Sequence, residues 1–365
     1  MQYNWQQSDW PNFSYSETDF LEIWHSFLAL SGQSQGYWSA SSGNIQNQSI
    51  IDLLVVEAIK TSSIEGEFIS RIDLISSIKK NLGFVSDQPL IKDKRSAGIA
   101  QLLVDSRKQF ADVLSEQMLF DWHKLLMLGN NNVSEIGQWR THTEPMQVVS
   151  GAMGKEKVHF QAPLSSQVPQ EMKQFIDWYN ASLTGIKNPL VRSAIAHLYF
   201  ESIHPFEDGN GRIGRIIAEK ALSESLDKPV LLSISKHIER NKKAYYDALK
   251  KGQQSNQIDA WILYFATIVM EAQQDFMFVI ALSVQKMTFF DTHQSQLNER
   301  QHKVFKKILA NNDEPFEGYL NARKYQAIAK TSKATATRDL QDLLEKNLII
   351  SKGQGRSTSY LVNFS

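Results

Sequence analysis

The sequence predicts a mainly α-helical, multidomain protein with a small β component. Apolar residues recur at three- and four-residue spacing in several segments, among them Ile50, Ile51, Leu54, Val55, Ala58 and Ile59, and again Val191, Ala194, Ile195, Leu198 and Tyr199. That is the period of a helix burying one face. Strand-like runs are short and fall in two places, around residues 146–160 and 348–362. At 365 residues the chain exceeds a typical single domain, so two or three units are expected. We divide it into a helical N-terminal region (1–95), a core (96–275) and a C-terminal part (276–365).

In the N-terminal region the polar run Gly32-Gln33-Ser34-Gln35-Gly36 and residues 39–49 read as loops. The amphipathic stretch from Ile50 follows, and Gly66, closing Thr61-Ser62-Ser63-Ile64-Glu65-Gly66, is placed to end that helix. Glu65 would then sit near a helix end. Asp87-Gln88-Pro89 marks a connection to the core.

The core holds the most informative segment, His204-Pro205-Phe206-Glu207-Asp208-Gly209-Asn210-Gly211-Arg212-Ile213-Gly214-Arg215. The helix built on Val191–Tyr199 delivers His204 to a loop, and Pro205 favours an extended conformation at His204. Gly209-Asn210-Gly211 leads into a second helix over residues 212–223, whose first N–H groups lack intrahelical partners and form an anion site. Arg212 and Arg215 share one face of that helix and can grip a polyphosphate. Histidine, with a reference pKa of about 6.5, suits proton removal from a hydroxyl near neutral pH. Magnesium takes one or two protein carboxylates plus substrate phosphates, so Asp208 alone is sufficient. Taken singly, a His-Pro, a Gly-Asn-Gly and a pair of helix arginines are common surface features; their order in one loop and helix makes them a site. Glu207 reads as solvent-facing or structural.

This segment resembles the signature of the Fic family, H-P-F-x-[D/E]-G-N-G-R-x-x-R, at every defined position. The resemblance implies a Fic-type helical core over roughly residues 100–275. It implies transfer of AMP from ATP to a Ser, Thr or Tyr hydroxyl of a target protein, itself included. His204 is then the general base and Asp208 the holder of Mg2+. Gly209, Asn210, Gly211, Arg212, Gly214 and Arg215 are the nucleotide-binding residues, with Arg212 and Arg215 on the β and γ phosphates. The Thr61–Gly66 stretch is similar to the family's inhibitory pattern [S/T]-x-x-x-E-[G/N], which implies that Glu65 pairs with Arg215 and blocks productive ATP binding.

Two strand-like runs, Met146-Gln147-Val148-Val149-Ser150 and Lys157-Val158-His159-Phe160, flank Gly151-Ala152-Met153-Gly154. They resemble the family's β-hairpin flap, which implies that a target's backbone is registered here by strand addition. Lys155 after Gly154 is not a P-loop, because the four-residue spacer is missing and Glu156 replaces Ser or Thr. Beyond the signature, the resemblance implies that a tyrosine pair lies near the adenosine; Tyr246 is the better candidate, with Tyr245 and Asn241 behind it.

From Leu297 to Ser365 there are twelve Lys/Arg and seven Asp/Glu, a net of +5. Helical patterns at residues 299–310, 322–330 and 334–346 precede strands at 348–351 and 358–362 joined by Gly353-Gln354-Gly355-Arg356. This order resembles a winged helix-turn-helix domain, with Thr335, Thr337, Arg338 and Gln341 on a recognition face and Lys352 and Arg356 in the wing. DNA or protein contact through this part is left open, as is a homodimer.

Composition excludes several classes. With 39 basic and 39 acidic residues, nucleic-acid or membrane electrostatics do not dominate the chain. Without cysteine there is no disulfide and no thiol catalysis, which suits a cytoplasmic protein. Residues 1–5 show no secretory signal. Residues 260–270 are apolar but give way to Glu271, Gln273, Gln274 and Asp275, so a packed helix rather than a membrane span is expected. No H-E-x-x-H motif supports zinc chemistry. The expected activity is protein adenylyl transfer restrained by Glu65. The alternatives are removal of AMP or transfer of another phosphate-containing group at the same site, or a nucleotide-sensing DNA-binding regulator. Gly211 disfavours phosphoryl transfer, since kinase-like relatives carry lysine there, and an intact His204 disfavours a mere sensor.

Overall fold

Two long helices begin the fold where the sequence suggested interruptions. α1 (Leu21–Ala40) and α2 (Gly43–Ile64) take in the Gly32–Gly36 run and most of residues 39–49, which were expected to be loops. A glycine inside a helix costs about 1 kcal/mol relative to alanine, and packing outweighs it here: Ser31, Ser34 and Ser49 are buried along these helices. The coordinates are a computed structural model that describes residues 2–84, 91–150, 157–309, 320–353 and 358–364.

The described elements continue with α3 (Arg71–Asn81), α4 (Lys94–Lys108), α5 (Glu116–Leu126), strands β1 (Gln147–Ser150) and β2 (Lys157–Gln161), α6 (Val168–Gly185), α7 (Pro189–Ile203) and α8 (Asn210–Ser225). Then come α9 (Ile234–Arg240), α10 (Lys242–Gly252), α11 (Asp259–His293), α12 (Glu299–Ile308), α13 (Ala322–Ala329), α14 (Lys333–Glu345) and the strands β3 (Ile349–Lys352) and β4 (Ser359–Val362). The chain divides into two compact units, one of residues 1–31 and 53–275, the other of residues 32–52 and 276–365.

In the first unit α7 is buried over its whole length and packs along α8. A helix surrounded on all sides must find partners for the polar side chains it carries, and α7 does so for most of them, His197 Nδ1, the Tyr199 hydroxyl and Glu201 Oε1 being the exceptions. Asn188 caps its start, with Pro189 in the first turn where no N–H is needed. Arg192 donates to Glu224 Oε2 at 2.7 Å, Ser193 to the Ala218 carbonyl at 2.7 Å, and Asn4 Nδ2 donates to Ser202 at 2.9 Å. Around this pair lie Leu222, Ile238, Trp261, Phe265 and Val269. α11 is longer than expected: Glu271 and Asp275 do not end it. Its turned extension to Gln296 makes it long and apolar enough to cross a membrane by length and composition alone. Its first half is core, with Trp261, Ile262, Phe265 and Ala266 buried, while Glu271 and Asp275 meet His237 at 3.1 Å each.

In the second unit, α12, α13 and α14 pack around Val304, Phe305, Tyr325 and Leu340 beside the antiparallel β3–β4 hairpin. Asn298 and Gln301 form a capping box at α12. Asp339 accepts from Arg300 at 2.7 Å and from the Tyr325 hydroxyl at 3.0 Å; these partners hold its carboxyl below the usual range. On α14, Thr337, Arg338 and Gln341 are exposed and Thr335 half-buried; Lys352 ends β3, and Arg356 lies outside the described residues.

Candidate active site

His204 is the C-cap of α7, and its backbone is left-handed (φ 52°, ψ 61°), not extended as the following proline suggested. Its N–H still bonds to the Phe200 carbonyl, so the helix closes its last turn before the chain reverses. A non-glycine residue in this region is strained by about 1–2 kcal/mol, and the surroundings hold it there. Arg140, fully buried, donates from Nε to the His204 carbonyl at 2.8 Å, and from Nη2 to Pro163 O at 2.6 Å and Ile203 O at 3.3 Å. The Arg140 backbone N–H donates to Pro205 O at 2.9 Å. Burial pushes the Arg140 guanidinium down to about 10.

The loop after His204 is clamped by its own residues. The Asn210 amide accepts from Phe206 N–H and donates to Phe206 O, each at 2.9 Å, so this side chain orders the loop and is not free for phosphate. Gly209 turns the chain at φ 82°, where a Cβ would also strike Met127 and Leu126. α8 starts at Asn210, two residues earlier than expected. Glu207 is structural: one of its oxygens accepts from the Ser134 and Glu135 N–H groups and from the Ser134 hydroxyl.

His123 supports the loop from below. It stacks on Phe206 with ring centroids 4.1 Å apart; its Nδ1 accepts the Gly137 N–H at 2.9 Å and its Nε2 lies 3.1 Å from Asp208 O. The ring is therefore neutral with its proton on Nε2, and burial pushes its pKa down to about 4. In the unfolded chain the value returns to about 6.5, so between pH 6.5 and 4 the unfolded state binds the extra proton. The stability this group contributes is complete above pH 6.5 and is lost as pH falls toward 4. Melting curves of wild type and His123→Gln should diverge at pH 7 and converge near pH 4.5; parallel pH dependence would refute the assignment.

A cavity of about 800 Å³ is lined by His204, Asp208, Gly209, Asn210, Gly211 and Arg215, with Glu65, Tyr245 and Tyr246 on its other walls. This is the size of a small-molecule site. Met146, Gln147, Val148, His159 and Phe160 line it as well. They belong to the β1–β2 hairpin and the residue before it, where Val148 pairs with Phe160 beside an irregularity at Val148/Val149. The intervening Gly151–Gly154 stretch lies outside the described residues. Tyr246 is partly exposed, whereas Tyr245 is buried and bonded to His197 Nε2 at 2.7 Å. Asn241 does not line the cavity; it caps α10 by accepting from Ala244 N–H. Nor does Gly214, which faces α7: a Cβ there would lie 2.6 Å from Glu201 Oε1 and 3.0 Å from His197 Nδ1.

Both motif arginines are engaged by acids from the end of α2. Arg215 Nη2 lies 2.7 Å from Glu65 Oε1, and its Nε donates to Thr61 Oγ1 at 2.9 Å. Arg212 Nη1 lies 2.5 Å from Glu67 Oε2, and its Nη2 is 3.5 Å from Asp208 Oδ2. Gly211 makes room for this arrangement, since a Cβ would sit 2.5 Å from Glu65 Oε1. Gly66, at φ 77°, turns the chain between the two acids. α2 is itself pinned: Glu57 accepts from the Ser233 hydroxyl at 2.8 Å and Lys60 meets Glu239 at 3.2 Å. Glu67, Arg140 and His123 were missed in the sequence. Only Glu67 had a signal, an acid two positions after Glu65.

Residues 113–222, from just before α5 through most of α8, match the Fic/DOC family. This part of the chain is similar to a Fic domain. Residues 3–84, which include α1, α2 and the Glu65 turn, match a domain of unknown function, DUF4172. The protein adenylyltransferase fic-1 of Caenorhabditis elegans is 32% identical over 139 residues, 38% of this chain and 24% of that protein. The chain thus spans about a quarter of the length of the curated relatives it matches. A Fic family protein from Desulfovibrio desulfuricans superposes with a TM-score of 0.53 at 19% identity, over 97% of this chain and 98% of the other. A Fic domain containing signaling protein from Bacteroides thetaiotaomicron gives 0.55 at 17% identity over 71% and 97%. At such identities the likeness is one of fold alone.

Proposed function

We propose that this protein transfers AMP from ATP to a hydroxyl side chain of a protein, and that Glu65, assisted by Glu67, restrains it. The observation that carries the reading is that His204, the α8 N-terminus and Arg215 line one nucleotide-sized cavity. The names of its relatives, protein adenylyltransferases, support the same reaction.

In the proposed step the target oxygen bonds to the α phosphorus as its proton passes to His204, and the bond to the oxygen bridging the α and β phosphates breaks. Pyrophosphate leaves. The free N–H groups at the start of α8 and the guanidinium of Arg215 meet the charge that accumulates on it. Among the described residues no group of three or more acids and histidines forms a ready metal cage. Asp208 suits the lighter demand of magnesium: its side chain is about half exposed, with Oδ1 accepting from the Gly209 N–H at 2.6 Å. A magnesium ion held there would neutralise phosphate charge. In this reading Tyr246, which lines the cavity, would pack on the adenine ring, and the β1–β2 hairpin, which lines it too, would pair with a target segment by strand addition.

The test is label transfer from ATP marked at the α or the γ phosphate, with magnesium, in a cell lysate. Label from the α position alone, present in Glu65→Gly and absent once His204→Ala is added, is expected. Label from the γ position would replace this reading with phosphoryl transfer, and none from either would end it. Glu67→Gln alone is expected to raise transfer severalfold, because Arg212 is released while Glu65 still holds Arg215. An unchanged rate would confine the restraint to Glu65.

A further inference from the structure

Resting on that reading, we infer that Glu201 is the partner of His204, a positioning residue that fixes the proton on His204 Nδ1 and stabilises the imidazolium formed in the transfer step. The two residues are three apart, at the end of α7, which sets them on one face of the helix. Glu201 Oε2 lies 3.6 Å from His204 Nδ1. His204 Nδ1 is buried with no hydrogen-bond partner, a need that the nearby Oε2 can answer; the other carboxylate oxygen, Oε1, is likewise unpartnered and lies on the side of Gly214 and His197, whose Nδ1 is also unpartnered. Resting distances in catalytic pairs are commonly long and close in the substrate complex; a shift on the order of half an ångström suffices here.

A carboxylate shut away from water needs a reason. Burial opposes its ionisation, but the His204 ring beside it and the Arg215 guanidinium hold Glu201 below the usual carboxylate range. It is thus charged at the pH where a histidine base works. His197, beside it, is kept neutral mainly by burial, and its Nε2 is taken by the Tyr245 hydroxyl. Gly214 completes the arrangement by leaving the space that Glu201 Oε1 and His197 Nδ1 occupy. This explains a glycine inside α8 that does not line the cavity. The left-handed turn at His204 serves the same end: with Nδ1 turned to Glu201, the other ring nitrogen is the one left for a substrate hydroxyl. Which nitrogen is basic is set by the bond the other makes.

The step balances simply. The hydroxyl proton moves to His204 Nε2 as the oxygen–phosphorus bond forms, the positive ring is held by the Glu201 carboxylate, and the proton leaves later to solvent. The other charged or titratable groups facing the pair are Glu65 from the α2 end, His197 on α7, Arg215 on α8 and Tyr245 and Tyr246 on α10. Asp208, Glu207, His159 and Lys243 share the cavity.

The decisive comparison is Glu65→Gly with Glu65→Gly/Glu201→Gln, the amide keeping shape while removing charge. From α-labelled ATP, the apparent kcat is expected to fall on the order of ten- to a hundredfold, a part of what a general base contributes, with KM for ATP within about twofold. The acid limb of the kcat profile should move to lower pH, because the protonated ring loses its counter-charge. Nitrogen NMR of the imidazole should show Nδ1–H in wild type and a shift toward Nε2–H in Glu201→Gln. Unchanged kcat and acid limb, or Nε2–H in wild type, would overturn the inference; a rise in KM with kcat intact would assign Glu201 to ATP binding instead. The wild-type spectrum decides the point even if the variant misfolds. If Glu65→Gly transfers no label at all, the adenylyl-transfer reading falls while the spectrum still judges the pair.

Discussion

Glu65→Gly is expected to raise adenylyl transfer about a hundredfold over wild type. Arg215 is buried and its ion pair with Glu65 is at 2.7 Å, with the carboxylate about a quarter exposed. Separating the partners of a buried pair costs roughly 3–5 kcal/mol. The partial exposure of Glu65 argues for the lower end, and 1.4 kcal/mol is a factor of ten in rate. Two further features keep the effect from being larger. Thr61 retains its two bonds to Arg215 after Glu65 is gone, and Glu67 still holds Arg212. The double variant Glu65→Gly/Glu67→Gln should therefore exceed the single one. Because the two pairs meet different arginines one helical turn apart, their effects on the logarithm of the rate should add only in part. Equal α-label transfer by wild type and Glu65→Gly would remove the restraint from the account. Tighter ATP binding by the variant, measured by calorimetry, would locate the gain in Arg215 being freed for phosphate.

Much of this site was legible in the chain because its parts are adjacent. A twelve-residue segment holds His204, Asp208 and both arginines, the groups proposed for the base, metal and phosphate roles, and a loop followed by a helix start brings neighbours in sequence together in space. Glu65 was legible for a different reason: the periodicity of α2 and the glycine after it fixed where the helix ends, although not what it touches. The unread parts are those that act across long separations. Arg140 reaches the His204 carbonyl from 64 positions away and His123 reaches Asp208 from 85, and neither distance leaves a periodic trace. Glu201 was hidden by context: an acid inside an otherwise apolar helix gives no sign that all of α7 is buried. The backbone of His204 was misread because the effect of proline on its predecessor is a local preference, and here several tertiary bonds override it. The same contest, with the opposite local bias, turned the glycines of α1 into helix.

Arg140→Met is expected to cost about 3 kcal/mol of stability and to disable the site together with the fold around it. Bonds from a charged donor contribute roughly 1.5–3 kcal/mol each, and Arg140 makes four through its side chain, to His204 O, Ile203 O, Pro163 O and Ser165 Oγ. Their sum overstates the loss, because methionine fills much of the space and spares the cost of burying a cation. What remains is three buried carbonyls short of a donor. Two of them flank the left-handed turn, whose own strain of about 1–2 kcal/mol is then no longer opposed from that side. Relaxation of His204 toward the extended conformation that Pro205 favours would swing its ring away from Glu201 and out of line with the α8 N-terminus. The variant should therefore lose activity at temperatures well below its melting point, and Arg140→Lys, which can reach only some of the acceptors, should fall between the two in both respects. Denaturant titration measures the first loss and α-label transfer in the Glu65→Gly background the second. A destabilised variant with undiminished transfer would show that the turn at His204 is held by its helix and loop alone.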